Sequence, residues 1–390
     1  MNDLHIANRL LPLPALRAYQ RVHWRLTRQR LSNLRARLTE IISQPAKFTL
    51  IFPPSLDWTG QLWQRPQHMA SALAKCGCRV LFFQHQEHWE QEPFREVQPG
   101  LFLCSVPVEV FWELPPSSFC VYAMTWNCRS AIAPNAENLI YDWVDELSVF
   151  PGSQARLASD HAEMLKLAGI VLVTARQLLD KTKISRPEAL LCPNGVDYEH
   201  FAQARQAQLQ APGDLAMLVQ DKPIAGYIGA LARWLDYSLL EELAQKRPDW
   251  QFVLVGPDHD RTLPASLLKL PNMLWLGAKS YAELPAYLKA FTAALIPFHL
   301  NQVTHAVSPL KLFEYMAAGK PVISTPILEA THIPGVLLAN NADEFSAHLD
   351  QAILLKQDAA YLEQSDLIAR QNTWEQRAQV VMDALYRAHA

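Results

Sequence analysis

The chain has 390 residues, half of them hydrophobic, so it is long enough for two domains of ordinary size with substantial cores. Its formal net charge of −3 gives no electrostatic reason to expect nucleic acid as the main partner. The absence of any run of about 18 apolar residues excludes a membrane-spanning helix, and the first residues lack a signal-peptide core, so a cytoplasmic location is expected.

Residues 1–46 form a basic extension that differs in charge from the rest of the chain. It contains eight arginines against two acidic residues. Two stripes recur at helical spacing, Arg17, Arg21, Arg25 and Arg28 on one side and Trp24, Leu31, Leu34, Leu38 and Ile41 on the other. This pattern predicts a basic amphipathic helix within residues 15–42. Two placements are open: on an anionic membrane surface, or solvated and packed on the body of the protein.

Residues 47–200 alternate short apolar runs with helical patterns. Strands are predicted at 47–54, 78–84, 170–175 and 189–194, and a helix at 63–77. Strands this apolar, separated by helices, are typical of a parallel sheet covered on both faces. We therefore expect an N-terminal Rossmann-like domain. In the "PNGVD" that follows, Asn194 and Gly195 suit positive φ in a turn and predict a hinge.

Residues 201–220 are polar and rich in Gln and Ala, and are predicted to be a linker. The alternation then restarts, with strands predicted at 224–229, 250–256, 272–277 and 293–298. Residues 221–365 are therefore predicted to form a second doubly wound α/β domain. Because ligands of such sheets bind outside the carboxyl ends of the strands, we expect them in the cleft between the domains.

The segment "SPLKLFEYMAAGKPVIST" (308–325) predicts a helix and a strand, with a charged pair at the helix start. Ser308 is placed as the N-cap and Pro309 as the first helical residue, so free N–H groups and the dipole favour a phosphate there. Lys311 opposes that dipole unless an anion lies nearby, and Glu314 is placed to accept hydrogen bonds from sugar hydroxyls. The alternative is an exposed Lys–Glu pair that stabilises the helix by roughly a few tenths of a kcal/mol.

Segments that resemble a known family extend over most of the chain. They are 63–82, 139–150, 190–201, 226–257, 270–298, 308–325 and 372–378. In this order they resemble a GT-B-fold glycosyltransferase of the family 4 (glycosyl transferases group 1) type. The resemblance implies two Rossmann-like domains facing a cleft, with a C-terminal helix, 366–390, that returns toward the N-terminal domain. It also implies retaining transfer of a sugar from a UDP- or GDP-linked donor on the C-terminal domain to a glycan or lipid-linked acceptor on the N-terminal domain.

The resemblance implies roles for residues of the C-terminal domain. Glu314 matches the family's second motif glutamate, which holds the donor ribose. The loop around the diphosphate and sugar corresponds to Ser308, Pro309, Leu310 and Lys311, and the strand end beside the diphosphate to Gly229 and Arg233.

Two positions depart from the family pattern. Ala306 stands where the first motif glutamate would touch the donor sugar, and Arg233 is followed by "WLD" without the usual lysine. Our hypothesis is that Lys311 supplies the missing positive charge.

Candidate catalytic and acceptor-binding residues lie in the N-terminal domain. Asp142 and Asp145 end an apolar strand in "YDWVDEL", and one of them is expected to orient an acceptor hydroxyl or to face the positive charge that forms on the sugar. The alternative for Asp145 is a helix N-cap. Gly60 allows backbone to approach a ligand, Trp63 is placed to stack on a sugar ring, and Arg65 to hold a phosphate of a lipid-linked acceptor. The alternative for these three is capping and packing.

We expect no metal ion, and no cofactor besides the nucleotide sugar, because in this fold a helix dipole and basic side chains take the diphosphate charge. The six cysteines also lack a zinc spacing. The expected setting is envelope or exopolysaccharide synthesis on the cytoplasmic face of a membrane, with no nucleic-acid partner. The competing functions are a nucleotide-sugar epimerase, a phosphorylase, for which no pyridoxal-binding lysine motif stands out, and a catalytically inactive membrane-surface scaffold.

Overall fold

The structure, a computed structural model, describes residues 11–27, 32–60, 63–131, 138–216 and 222–389. The chain divides into two compact units. The first comprises Met1–Pro193 and Arg377–Ala390, and the second Asn194–Gln376. Each unit is built on one mainly parallel sheet with helices, so the predicted α/β class with two doubly wound sheets is confirmed.

The sheet of the first unit has eight strands within the described ranges, in the order β3-β4-β2-β1-β5-β6-β7-β8. The strands are β1 (Thr49–Phe52), β2 (Arg79–Phe83), β3 (Phe94–Gln98), β4 (Leu101–Cys104), β5 (Cys120–Met124), β6 (Leu139–Trp143), β7 (Ile170–Val173) and β8 (Leu190–Leu191). Neighbouring strands are parallel except β3 and β4, which are antiparallel. The carboxyl ends of β1, β5 and β6 therefore lie side by side at one edge of the sheet.

The α-helices of the first unit are Leu13–Thr27, Ser32–Ser43, Arg65–Lys75, Cys128–Ala131, Gln154–Leu167 and Arg176–Lys183, and most of the last helix, Trp374–Ala388. Short 3₁₀ helices lie at Gln86–His88, Val108–Glu113, Pro116–Ser118 and Leu147–Val149. The central strands are buried along their whole length, as expected for strands covered on both faces.

The sheet of the second unit has six strands within the described ranges, all parallel, in the order β11-β10-β9-β12-β13-β14. They are β9 (Ile224–Ile228), β10 (Gln251–Val255), β11 (Met273–Trp275), β12 (Ala293–Ile296), β13 (Val322–Ser324) and β14 (Leu337–Leu338). The α-helices are Tyr198–Ala202, Gly213–Ala216, Tyr237–Lys246, Leu284–Ala290, Gln302–His305, Leu310–Ala317, Leu328–Thr331, Ala342–Leu355 and Ala359–Arg370, with 3₁₀ helices at Gln203–Arg205, Leu267–Lys269 and Tyr281–Glu283.

The stretch predicted as a linker, 201–220, contains parts of these short helices, and residues 217–221 lie outside the described part of the chain. Just before it, Asn194 and Gly195 do not have positive φ, so that part of the turn prediction is wrong. The glycine is required by space instead, because a Cβ at Gly195 would lie 2.8 Å from the carbonyl carbon of Thr373.

The N-terminal extension buries four of its described apolar side chains, whereas Val22 is exposed and Leu34 is half-buried. Leu13, Leu16, Leu38 and Ile41 are buried, which favours the packed placement for this face of the helices. Other members of the two predicted stripes, Arg17, Arg21, Trp24, Arg25, Arg28 and Leu31, have side chains outside the described set.

Polar contacts also tie the extension down. The Nη1 atom of Arg129 donates a hydrogen bond to the Leu11 carbonyl (2.7 Å), and the side-chain amide of Gln20 donates one to the Arg129 carbonyl (3.2 Å). No helix in the described ranges combines the length and the apolar character needed to cross a bilayer.

Candidate functional site

The helix Leu310–Ala317 (the Lys311 helix) follows β12 in the second unit and begins one residue later than predicted. Pro309 is extended, with φ −74° and ψ 114°, and occupies the N-cap position instead of the first helical position. Ser308 does not cap the helix, because its hydroxyl accepts a hydrogen bond from the backbone N–H of Asn194 (3.0 Å) and its carbonyl accepts one from the Asn194 side chain (2.6 Å). The predicted N-cap is therefore wrong, and Ser308 attaches the 194 loop to the Lys311 helix.

Lys311 lies half-buried in the first turn of this helix, against the end of β9. Its Nζ is 5.2 Å from the centre of the Tyr227 ring and 5.3 Å from the centre of the Phe298 ring. A Cβ at Gly229 would be 2.9 Å from Lys311 Cε, so the strand end and the lysine that the sequence assigns to the same ligand are in contact. Lys311 makes no hydrogen bond or ion pair with another described residue.

Glu314 lies half-buried one turn further along, and its carboxylate also lacks a hydrogen bond or ion pair with any residue that the structure describes. Burial raises the pKa of Glu314, an effect that Lys311 opposes and Asp197 adds to. Burial likewise lowers the pKa of Lys311, and Glu314 opposes that shift. Two partly desolvated charges without hydrogen-bonding partners cost free energy unless a ligand meets them, and such groups mark candidate functional sites.

The strand ends beside Lys311 approach one another so closely that only glycine fits. Gly229 has φ +146° and Gly256 has φ +145°, in a region that side-chain-bearing residues rarely adopt. A Cβ at Gly256 would lie 1.9 Å from the Gly229 carbonyl oxygen. The carboxyl ends of β9 and β10 thus form a tight backbone edge next to the lysine.

Arg233 is placed on an exposed part of the loop that follows β9, with 65% of its side chain exposed. Its backbone N–H donates to Asp260 Oδ2 (3.2 Å), and its Nε lies 3.9 Å from the same oxygen. The structure therefore brings Gly229, Lys311 and Glu314 to one region and directs Arg233 toward Asp260.

Ala306, at the position of the missing family glutamate, is fully buried. It ends the helix Gln302–His305, and its N–H donates to the Val303 carbonyl (3.0 Å). A methyl group packed in this way offers no polar contact to a sugar.

In the first unit, Asp142 and Arg65 form a hydrogen-bonded salt bridge. Arg65 donates two hydrogen bonds to the Asp142 carboxylate, at 2.6 and 3.1 Å, and the Tyr122 hydroxyl donates a third at 2.7 Å. Arg65 and Asp142 are 2% and 0% exposed. Burial opposes the charge of Arg65, but Asp142 raises the pKa of Arg65 well above its usual value. The predicted roles of these two residues stay predictions, and the buried ion pair favours a positioning role for both.

Asp145 differs from Asp142 because it is half-buried and its carboxylate has no hydrogen bond or ion pair within the described part of the chain. Burial raises the pKa of Asp145 to about 6, with Arg65 opposing the shift and Asp142 and Glu146 adding to it. The alternative that Asp145 caps a helix is wrong, since the N-cap of the 3₁₀ helix Leu147–Val149 is Glu146. The carboxylate is thus available to a ligand.

Gly60 and Trp63 follow β1 at the same edge of the sheet. The N–H of Gly60 donates to the Asp57 carbonyl (3.2 Å) and closes a turn. Trp63 is half-buried, with its ring centre 5.0 Å from that of Trp58 and 5.4 Å from that of His68, both edge-on. These contacts favour the packing alternative for Trp63, and its proposed sugar stacking stays a prediction.

Several residues at the two sheet edges carry no recognisable signal in the sequence. In the first unit the Trp126 indole N–H donates to Ser55 Oγ (2.7 Å), and the Trp126 ring lies 5.6 Å from that of Phe150. In the second unit Tyr227 and Phe298 resemble ordinary core residues of apolar strands, and only the fold shows that they meet Lys311. The described residues contain no group of three or more His, Cys, Asp or Glu side chains that could hold a metal ion.

Comparison with known proteins gives both local and overall matches. Residues 222–354 match the family model described as "Glycosyl transferases group 1". A putative teichuronic acid biosynthesis glycosyltransferase, TuaH from Bacillus subtilis (strain 168), is 31% identical over 201 residues, which are 50% of this chain and 50% of that protein. The chain thus matches about half the length of this relative.

Solved structures resemble nearly the whole chain. Sucrose-phosphate synthase from Thermosynechococcus elongatus has a TM-score of 0.60 at 20% identity, covering 87% of this chain and 98% of that one. Anabaena HepE in complex with UDP and glucose has a TM-score of 0.62 at 18% identity, covering 88% and 100%. At such identities the likeness shows a common fold.

Proposed function

We propose that the protein is a glycosyltransferase, because residues 222–354 match the glycosyl transferases group 1 model and the chain has the GT-B fold. These matches confirm the resemblance to the family and the two Rossmann-like sheets expected from the sequence, and the N-terminal amphipathic helix stays a prediction. The proposed reaction moves a sugar from a UDP- or GDP-linked donor to a glycan or lipid-linked acceptor, with retention of configuration at the sugar carbon.

The observation that supports a nucleotide-sugar site most strongly is the pair of half-buried, unbonded charges on the Lys311 helix. Lys311 faces Gly229 at the carboxyl end of β9, the sheet edge where ligands of doubly wound folds bind. A diphosphate at this edge would meet Lys311 and the N–H groups at the helix start. Glu314, one turn along, would then accept hydrogen bonds from the ribose hydroxyls.

Lys311 also supplies a positive charge where the chain departs from the family pattern at two positions. Arg233 lies exposed beside Asp260, and Ala306 offers only a buried methyl group. Lys311 is therefore proposed as the main cation for the diphosphate, in place of the lysine that "WLD" lacks.

For the chemical step we propose that the enzyme acts mainly by positioning and electrostatic support. Lys311 stabilises the negative charge that grows on the diphosphate as the bond between it and the sugar carbon breaks. The acceptor oxygen bonds to the same carbon, and its proton passes to a phosphate oxygen of the leaving group. Asp145 is proposed to orient the acceptor hydroxyl, because its carboxylate has no hydrogen-bonding partner among the described residues.

The proposed setting is the synthesis of an envelope polysaccharide. The Bacillus subtilis relative is a putative teichuronic acid biosynthesis glycosyltransferase, and structures of Anabaena HepE contain UDP or UDP-glucose. These similarities support a UDP-linked donor and a polysaccharide or lipid-linked acceptor for the present chain.

The test is turnover by the purified chain. UDP- and GDP-linked sugars are incubated with and without glycan and lipid-linked acceptors, and free nucleoside diphosphate is measured. Acceptor-dependent release of UDP or GDP is the expected result. Conversion of the donor without an acceptor would indicate an epimerase, and no turnover of any donor would favour the inactive scaffold.

A membrane contact through residues 15–42 remains a proposal, based on the arginine stripe alone. Because Leu13, Leu16, Leu38 and Ile41 are buried, deletion of the extension would also remove part of the core. The sharper test replaces Arg17, Arg21, Arg25 and Arg28 with Gln and measures sedimentation with anionic vesicles. Unchanged binding by this variant would end the proposal.

A further inference from the structure

The ammonium group of Lys311 lies close to two buried aromatic rings. Tyr227 belongs to β9 and Phe298 follows β12, and these strands are neighbours in the sheet. The ring centres are 6.5 Å apart, with 62° between the planes. Lys311 Nζ lies at nearly equal distances from both, 5.2 and 5.3 Å, within the range of a cation–π interaction.

Both rings are fixed by contacts of their own. Tyr227 is 0% exposed, and its hydroxyl donates a hydrogen bond to the Ala230 carbonyl (3.0 Å). Phe298 is 3% exposed, and its N–H donates to Thr325 Oγ1 (3.2 Å). The rings therefore form a rigid platform beside the lysine.

A cation–π contact holds an ammonium group without using its N–H donors. A carboxylate partner would occupy one or more of those donors, whereas ring faces attract the charge and leave the donors directed elsewhere. Lys311 has no ion pair or hydrogen bond with another residue that the structure describes. Its donors thus remain available for phosphate oxygens.

Packing alone does not account for a lysine at this position. A methionine of similar length would fill the same space without a charge, and lysine head groups normally reach for water. Here the side chain instead runs against Gly229, where an added Cβ would lie 2.9 Å from Lys311 Cε and would require the lysine to shift. The absence of a side chain at Gly229 leaves room for Lys311, and the two rings lie where they attract its charge.

We propose that Tyr227 and Phe298 are positioning residues that hold the Lys311 ammonium in place for the diphosphate of a nucleotide ligand. This inference rests on the proposed function. It concerns residues that act through Lys311 and need not touch the nucleotide themselves.

The experiment is a double-mutant cycle on nucleotide affinity. The Kd values of UDP and GDP are measured by calorimetry for the wild type, Phe298→Leu, Phe298→Tyr, Lys311→Met and the Phe298→Leu/Lys311→Met double variant. We expect Phe298→Leu to raise Kd roughly fivefold. This factor corresponds to the loss of one cation–π contact whose strength lies between that of an exposed contact and that of a desolvated contact. Phe298→Tyr keeps a ring and is expected to restore most of the affinity. In the Lys311→Met background, Phe298→Leu should have little further effect.

The outcomes separate the inference from the function on which it rests. If neither UDP nor GDP binds the wild type, or if Lys311→Met leaves Kd unchanged, the proposed donor site fails. Two other outcomes overturn only the positioning role. In the first, Lys311→Met weakens binding but Phe298→Leu does not. In the second, Phe298→Leu weakens binding by the same factor in the wild type and in the Lys311→Met variant. Tyr227→Leu, compared with Tyr227→Phe, gives the same test from the other ring should Phe298→Leu not fold.

Discussion

Replacing Asp142 with Asn should strongly destabilise the protein, because it leaves the Arg65 guanidinium buried without its counter-charge. Arg65 and Asp142 are 2% and 0% exposed and are joined by two hydrogen bonds, with a third from Tyr122. Breaking one partner of a buried pair typically costs about 3–5 kcal/mol. That range includes the cost of weakening the hydrogen bond from Tyr122. We therefore expect the free energy of unfolding to fall by about 4 kcal/mol.

A matched control is the ion pair of Arg95 and Glu90, which has the same two-bond geometry but lies near the surface. Arg95 donates to both oxygens of Glu90, and the two side chains are 40% and 30% exposed. Pairs of this kind contribute at most about 1 kcal/mol. Glu90→Gln should therefore lower stability by at most about a quarter of the effect expected for Asp142→Asn.

The assay is urea denaturation at neutral pH, followed by far-ultraviolet circular dichroism, with turnover measured on the same preparations. A structural role predicts a large fall in the denaturation midpoint for Asp142→Asn and a small one for Glu90→Gln. If Asp142→Asn kept its stability within about 1 kcal/mol and lost turnover instead, a catalytic role would be favoured and the reasoning from burial refuted.

Two further predictions concern the strand-end glycine and the available carboxylate. Gly229→Ala should weaken UDP or GDP binding measured by calorimetry, because the new Cβ would lie 2.9 Å from Lys311 Cε at φ +146°. Gly277→Ala, at φ +67° with nothing within 4 Å of its Cβ, is the control for an alanine at positive φ that contacts no other group, and it should leave affinity unchanged. Asp145→Asn should stabilise the protein by about 1–3 kcal/mol above pH 6. The pKa of the Asp145 carboxyl is about 6 in the folded protein and 3.8 in the unfolded chain, so the stability of the wild type falls as the pH rises from 3.8 to 6. Asparagine carries no charge and avoids this loss. Denaturation at pH 4 and pH 8 checks this, and an equal effect at both would contradict it.

The sequence predicts the two parallel sheets well because the signal is local. Buried parallel strands must be apolar along their length, and β5 and β12 are examples in which every residue is buried. The adjacency of Gly229 and Lys311 also follows from the fold. Gly229 directly follows the carboxyl end of β9, and Lys311 lies in the first turn of a helix that comes after the neighbouring parallel strand β12.

What could not be predicted depends on contacts between distant residues. Arg65 and Asp142 are 77 residues apart, and nothing in their spacing shows that they neutralise each other. Ser308 caps no helix because Asn194, 114 residues away, donates hydrogen bonds to both its hydroxyl and its carbonyl. Tyr227 and Phe298 are buried in the core, and their sequence pattern indicates no more than that. Their contact with Lys311 arises only when the chain folds.

The central claim is that the Lys311 helix holds the nucleotide, and a crystal structure of the chain with UDP or GDP bound tests it most directly. We predict the diphosphate within hydrogen-bonding distance of Lys311 Nζ and the ribose hydroxyls on the Glu314 carboxylate. A nucleotide bound away from the carboxyl end of β9, with Lys311 still between its two rings and Glu314 unliganded, would contradict the account.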